Sequence, residues 1–184
     1  RQEWAVLGAP CGRIKKLAFQ LTEKLSDAHR LAYVDADHKS ADAEAESGRE
    51  KKGAMGHGAR LEYTDKITHH RFDLEAPLDK FQYRYWFNDA DAVLVNGNHF
   101  PAKRQIVLID PKKEASLKKR LGRLTDVQLI LLDQGVEKPY DWLYEEVDGF
   151  ASVPVLKWQE VDRVASFLGE QLRAAVPPLY GLVL

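Results

Sequence analysis

The chain has 184 residues, enough for one domain of ordinary size with a substantial core, and its 27 Lys and Arg against 28 Asp and Glu leave a formal charge of −1. No overall basic field draws such a chain to nucleic acid or anionic lipid, and no apolar run approaches the roughly 18–20 residues of a membrane span. The single cysteine, Cys11, has no intramolecular disulfide partner, so a cytoplasmic protein is expected. The opening Arg-Gln-Glu-Trp runs quickly into a turn, unlike the longer apolar region of a signal peptide. The chain lacks an initiator methionine, as expected of a fragment.

In chain order, Trp4-Ala5-Val6-Leu7 is an apolar run stopped by Gly8-Ala9-Pro10, a buried strand feeding a turn. Ile14, Leu17, Ala18, Leu21 and Leu25 then recur at helical spacing and give one face to pack on a sheet. Leu31–Val34 is a second strand. Strand, glycine turn, helix and strand together form a βαβ unit, which places both strands in a parallel sheet. Residues 40–58, rich in Ala, Glu, Lys and Gly, are given no regular structure. Leu61–Tyr63 and Thr68–Phe72 read as short strands, and Leu78–Phe87 as an aromatic-rich helix. Ala92–Val95 is apolar throughout, as in a central strand buried on both faces. Gln105–Ile109 and Val127–Leu132 add strands, Lys112–Leu121 a basic helix, and Val161, Val164, Ala165, Leu168 and Leu172 a last amphipathic helix. The fold class expected is α/β, a mainly parallel sheet with helices on both faces.

The turn after the first strand is placed as a phosphate-binding loop is, between a strand and a helix N-terminus whose N–H groups attract anionic oxygens. The working motif is G-x-x-x-x-G-K-[ST], with Lys on the terminal phosphates and the hydroxyl on Mg²⁺. Aligned on Gly8, the sequence puts Arg13 at the second glycine, Ile14 at the lysine and Lys15 at the hydroxyl. None of the three has the required chemistry. Two readings of Gly8, Gly12, Arg13, Lys15 and Lys16 stay open: glycines that turn the chain beside solvated cations, or a rearranged phosphate-binding site. Cys11 reads as a small filler, with neighbouring N–H groups and cations able to lower its pKa.

Other candidates lie at strand ends, where α/β proteins place ligand groups. Asp35, Asp37 and His38 follow the second strand, and Asn96, Gly97 and His99 follow the strand at 92–95; both sets are ligand or metal candidates, with His99 within conceivable reach of Asp37. His69 and His70 are adjacent and on a strand point to opposite faces, so they do not share a metal. Lys112, Lys113, Lys118, Lys119 and Arg120 read as a wet helix face. Phe81, Tyr83, Tyr85, Trp86 and Phe87 are too many for one narrow helix side, so some are expected to face a partner.

Read with the loop, the run Ala90-Asp91-Ala92-Val93-Leu94-Val95-Asn96-Gly97-Asn98-His99-Phe100-Pro101-Ala102-Lys103-Arg104-Gln105-Ile106-Val107-Leu108 resembles the molybdopterin-guanine dinucleotide biosynthesis adaptor family (MobB type). In that family a strand ending in Val-Glu-Gly is followed by a basic stretch and another strand. The resemblance spans roughly residues 4 to 110 and implies a P-loop NTPase-like fold, GTP binding and a weak GTPase activity. Here Asn96 stands at the acidic Walker B position, and Asp35-Ala36-Asp37-His38-Lys39 replaces the family's Lys- and His-rich segment. With the phosphate lysine and metal hydroxyl also missing, GTP or molybdopterin binding by this chain is expected to be weak or absent.

Pro177-Pro178-Leu179-Tyr180-Gly181-Leu182-Val183-Leu184 is similar to a linker followed by the first strand of the molybdenum cofactor guanylyltransferase family (MobA type). The joint pattern implies residues 1–176 as a degenerate adaptor-like domain and 177–184 as the linker and start of a nucleotidyltransferase domain that uses Mg²⁺. The leading expectation is a noncatalytic accessory domain whose partners are that enzyme domain, a molybdopterin-type small molecule and a second copy of the chain. The alternatives are an atypical nucleotide-dependent phosphotransferase, using Lys15 or Lys16 with Asp35 or Asp37, and a structural oligomerisation domain.

Overall fold

The computed structural model describes residues 1–36, 54 and 57–174. Asp37, His38, most of the segment 40–58 and the expected strand at 180–184 lie outside the described residues. The chain divides into two compact units, residues 1–35 with 87 onward, and residues 36–86.

In the first unit the apolar runs become strands β1 (Gln2–Leu7), β2 (Leu31–Val34), β5 (Ala92–Asn96), β6 (Arg104–Ile109), β7 (Val127–Leu132) and β8 (Val155–Lys157). They form one six-stranded sheet in the order β2-β5-β1-β6-β7-β8, and every pairing is parallel. The strands expected at 4–7, 31–34 and 92–95 are thus neighbours. Successive strand residues point to opposite faces, so the near-continuous apolar runs supply two cores.

One core joins Trp4, Val6, Leu94, Ile106, Leu108, Leu129 and Leu131 to helices α1 (Cys11–Leu25) and α5 (Val161–Ala174). The other joins Ala5, Leu7, Val93, Val95, Val107, Ile109, Ile130 and Leu132 to the short helices α3 (Glu114–Lys118) and α4 (Asp141–Glu146). Helices therefore cover both faces. The basic helix expected at 112–121 is broken into a 3₁₀ turn at Pro111–Lys113, α3, and a 3₁₀ turn at Leu121–Arg123. Pro111 forces a tight turn directly after β6, and Leu117 is the one buried side chain of α3, too little apolar surface to hold a longer helix.

The second unit contains β3 (Leu61–Asp65) and β4 (His70–Leu74), an antiparallel pair, and α2 (Lys80–Tyr85). The expected strand 68–72 begins instead at His70, because the Lys66 N–H bonds to the His69 carbonyl and closes the hairpin turn there. His69 accordingly lies in the turn while His70 pairs with Asp65. The helix expected at 78–87 is shortened by a capping box, in which Asp79 and Gln82 satisfy each other's backbone N–H groups.

Candidate functional site

The chain leaves β1 through α1 toward β2 on one side of the sheet, whereas β6, β7 and β8 follow on the other. Ligands in such sheets bind at the carboxyl ends of the strands where the order reverses, here between β1 and β6. Gly8 occupies this point with φ +93°, and a Cβ placed there would lie 2.3 Å from the Leu108 carbonyl oxygen. Only glycine fits both the left-handed backbone and the close approach.

The turn from β1 into α1 is short, residues 8–10. Pro10 is already the N-cap of α1, and its carbonyl accepts from the Arg13 and Ile14 N–H groups at 2.9 and 3.2 Å. Ile14, at the position of the motif's lysine, is fully buried in the core. Gly12 is exposed, with open space where a Cβ would sit, and Lys15 and Lys16 are exposed, Lys15 Nζ lying 5.8 Å from the Phe19 ring centre.

Arg13 turns away from solvent toward two carboxylates. Its guanidinium makes a bidentate contact with Asp133 at 2.5 and 2.7 Å and reaches Asp110 at 3.1 Å. It also stacks 4.6 Å over Trp158. Asp110 follows β6 and is 4% exposed; Asp133 follows β7. The hydrogen bond from Arg13 holds the Asp133 carboxyl below its usual value, outweighing the opposite push of burial. The Tyr140 hydroxyl donates to the Asp110 carbonyl at 2.8 Å, and burial, then the carboxylates around it, push its pKa up to about 12. A cation aligned with a phosphate-loop glycine is thus spent on internal ion pairs that tie α1 to β6 and β7.

On the other side of the α1 N-terminus a polar network joins β2, β5 and Cys11. Tyr33 Oη donates to Asp35 Oδ2 at 2.7 Å, and Asn96 Nδ2 donates to Asp35 Oδ1 at 2.7 Å. Asn96 is fully buried, and its Oδ1 accepts from the Asn98 N–H at 3.1 Å. Asn98 Nδ2 donates to the Ala9 carbonyl at 2.9 Å and approaches Cys11 Sγ at 3.6 Å, while His99 Nε2 stands 3.3 Å from the same sulfur. Burial alone pushes the Cys11 thiol up; Asn96, Asn98 and His99, with the charge of His99, outweigh it and hold the thiol below its ordinary value. Burial and the bond to Asp35 both push Tyr33 up. Gly97 lets β5 exit tightly over β1, since a Cβ there would lie 3.0 Å from Leu7 Cβ and 3.1 Å from Ala5 Cβ.

No protein-family model matches this sequence, and no curated protein matches it significantly. Solved structures do match. A MobB protein homologue from Bacillus stearothermophilus superposes with a TM-score of 0.60 at 17% identity, covering 94% of this chain and 98% of that one. The molybdopterin-guanine biosynthesis protein B structure gives 0.58 at 16%, over 93% and 99%, and Bacillus subtilis MobB 0.56 at 15%, over 91% and 97%. The fold is MobB-like. It is an α/β fold with a parallel six-stranded main sheet and helices on both faces.

Taken on the sequence alignment with a phosphate loop, the side chains present do not fit a magnesium–nucleotide cradle: Ile14 is in the core, Arg13 is ion-paired, and Asn96 donates a hydrogen bond rather than offering a charge. Among the described residues no three His, Cys, Asp or Glu side chains converge to hold a metal, and no helix is long and apolar enough to cross a membrane. The structure brings together Asp35, Asn96, Gly97 and His99 at the carboxyl ends of β2 and β5, and separates Arg13 from Lys15 and Lys16. Sequence reasoning missed Asp110, Asp133 and Trp158, although each of the two acids stands directly after an apolar strand and so carried a strand-end signal. A cavity of about 680 Å³, lined by Asp133, Gln134, Gly135, Lys157 and Gln159 among others, opens beside this ion-pair cluster.

Proposed function

We propose that this chain is an accessory, noncatalytic domain in molybdopterin-guanine dinucleotide biosynthesis, assisting a molybdenum cofactor guanylyltransferase. The observation that carries the reading is the MobB-like fold, matched over more than nine-tenths of this chain and of each relative. The noncatalytic part rests on Arg13, Ile14 and Asn96, which supply neither phosphate charge nor a metal ligand. Phosphoryl transfer depends on positioning and on stabilising charge, and these side chains are committed elsewhere. In its finer form the proposal joins the guanylyltransferase to this domain in one polypeptide, following the sequence similarity of residues 177–184, with a molybdopterin-type ligand and the Mg²⁺ chemistry belonging to the enzyme domain.

A partner surface is available in the second unit. Leu61, Tyr63, Phe72 and Leu74 lie on one face of the β3–β4 hairpin, cross-strand partners that are each about half exposed. Phe72 contacts Tyr63 at 4.9 Å and Trp86 at 5.8 Å between ring centres, and Trp86 is 70% exposed. A two-stranded hairpin with a half-exposed apolar face is marginal in water, so a second copy or the enzyme domain is the partner we assign to it. The test is to add the purified chain to a guanylyltransferase supplied with molybdopterin, GTP and Mg²⁺. The expected result is faster dinucleotide formation with co-sedimentation of the two proteins. Unchanged rate and no association would overturn the proposal, as would GTP turnover by this chain alone.

A further inference from the structure

Cys11 opens α1 and His99 follows β5, and the fold brings these two reactive side chains, 88 positions apart, to 3.3 Å between Sγ and Nε2. A cysteine that merely fills space sits among carbon atoms; this one is faced by nitrogen-bearing side chains from Asn98 and His99, and remains partly exposed to solvent. The arrangement is that of a nucleophile within reach of a base, and the first N–H groups of a helix lie at the sulfur's own residue. We propose that Cys11 and His99 form a nucleophile–base pair that undergoes reversible exchange with low-molecular-weight disulfides. This assignment is independent of the accessory role.

The exchange is balanced without any further reagent. The Cys11 sulfur attacks one sulfur of the small disulfide, a new S–S bond forms and the old one breaks, and the departing sulfur carries away the electron pair and takes the proton held by His99. Cys11 is oxidised to the disulfide level and one small thiol is released. The adduct then stands at the carboxyl ends of β1, β2 and β5. Among the described residues, Tyr33 and Asp35 are titratable groups joined to this network through Asn96, while Arg13 on the same helix is engaged by Asp110 and Asp133.

The test measures the rate of iodoacetamide alkylation of Cys11 against pH by intact-protein mass spectrometry, with circular dichroism to verify folding of each variant. In the natural chain the rate should rise with a midpoint at least one pH unit below the roughly 8.5 of a free thiol. In His99→Gln the midpoint should return toward that value, with the rate at pH 6 falling roughly tenfold. Glutathione disulfide should add one glutathionyl mass to the natural chain, none to Cys11→Ser, and dithiothreitol should remove it. A natural-chain midpoint at or above that of a free thiol overturns the proposal by itself, whatever happens to the variants. An unshifted profile in folded His99→Gln, or no glutathionyl adduct, also overturns it.

Discussion

Replacing Arg13 by alanine removes the guanidinium that bridges Asp110 and Asp133. Breaking a wholly buried ion pair costs about 3–5 kcal/mol because the remaining charge is stranded. Asp110 comes close to that limit, with a side chain 6% exposed, whereas the Arg13 and Asp133 side chains are 27% and 22% exposed. Water therefore recovers part of the loss, and about 2–3 kcal/mol at pH 7 is expected, including the lost stacking on Trp158. For a chain of this length that corresponds to a drop of roughly 4–12 °C in Tm, readable by calorimetry or by urea titration followed at Trp158 and its neighbours. Because Arg13 holds the Asp133 carboxyl below its ordinary value, this share of the stability is complete above the unfolded carboxyl's pKa, about 4, and is lost as pH falls through the lower native value. The difference between the two proteins should shrink on acidification below about pH 4. Adding Asp133→Asn to Arg13→Ala should restore part of the stability, since one stranded charge disappears. A Tm within 1 °C of the natural protein at pH 7, or a difference that grows on acidification, would refute the reasoning.

The two glycines of the turn should separate sharply. Gly8→Ala meets the Leu108 carbonyl at 2.3 Å and should cost at least about 3 kcal/mol or prevent folding, whereas Gly12→Ala meets nothing within 4 Å and should be neutral or stabilising by up to about 1 kcal/mol; equal melting temperatures would contradict this. Asn96→Asp sets a second carboxylate against Asp35 in a buried site, so the pair should hold a proton with a pKa above the unfolded value. The variant should lose roughly 2–4 kcal/mol at pH 7 and recover relative to the natural chain as pH falls toward 4; urea midpoints differing equally at pH 5 and pH 8 would count against it. Finally, GTP incubated with the chain and Mg²⁺ should give no phosphate release above the blank. Metal-dependent turnover abolished by Lys15→Ala or Asp35→Ala would favour the atypical phosphotransferase instead.

Most of the sheet was legible because parallel strands buried on both faces need unbroken apolar runs, and Trp4–Leu7, Ala92–Val95 and Val127–Leu132 have no other use. Helices α1 and α5 were visible from apolar residues recurring at helical spacing, which lay one face on the sheet. Short elements were not: β8 pairs only three residues, two of them exposed, and α4 buries Leu143 alone, so neither leaves a periodic pattern. At the site, spacing identified Asn96 and Arg13 as departures from a phosphate loop, but where those side chains go is a property of the assembled sheet. Arg13 meets Asp110 and Asp133 only because β6 and β7 lie side by side, and Cys11 meets His99 only because β5 pairs with β1. Contacts spanning about a hundred residues have no local signature.

The most direct test of the account is isothermal titration of the chain with GTP and with molybdopterin, each with and without Mg²⁺. The expected result is no saturable, Mg²⁺-dependent heat with GTP, and any saturable heat with molybdopterin unchanged by the metal. Tight GTP binding that requires Mg²⁺ and is lost in Lys15→Ala would contradict the account, because it would mean that the turn after β1 still works as a phosphate loop.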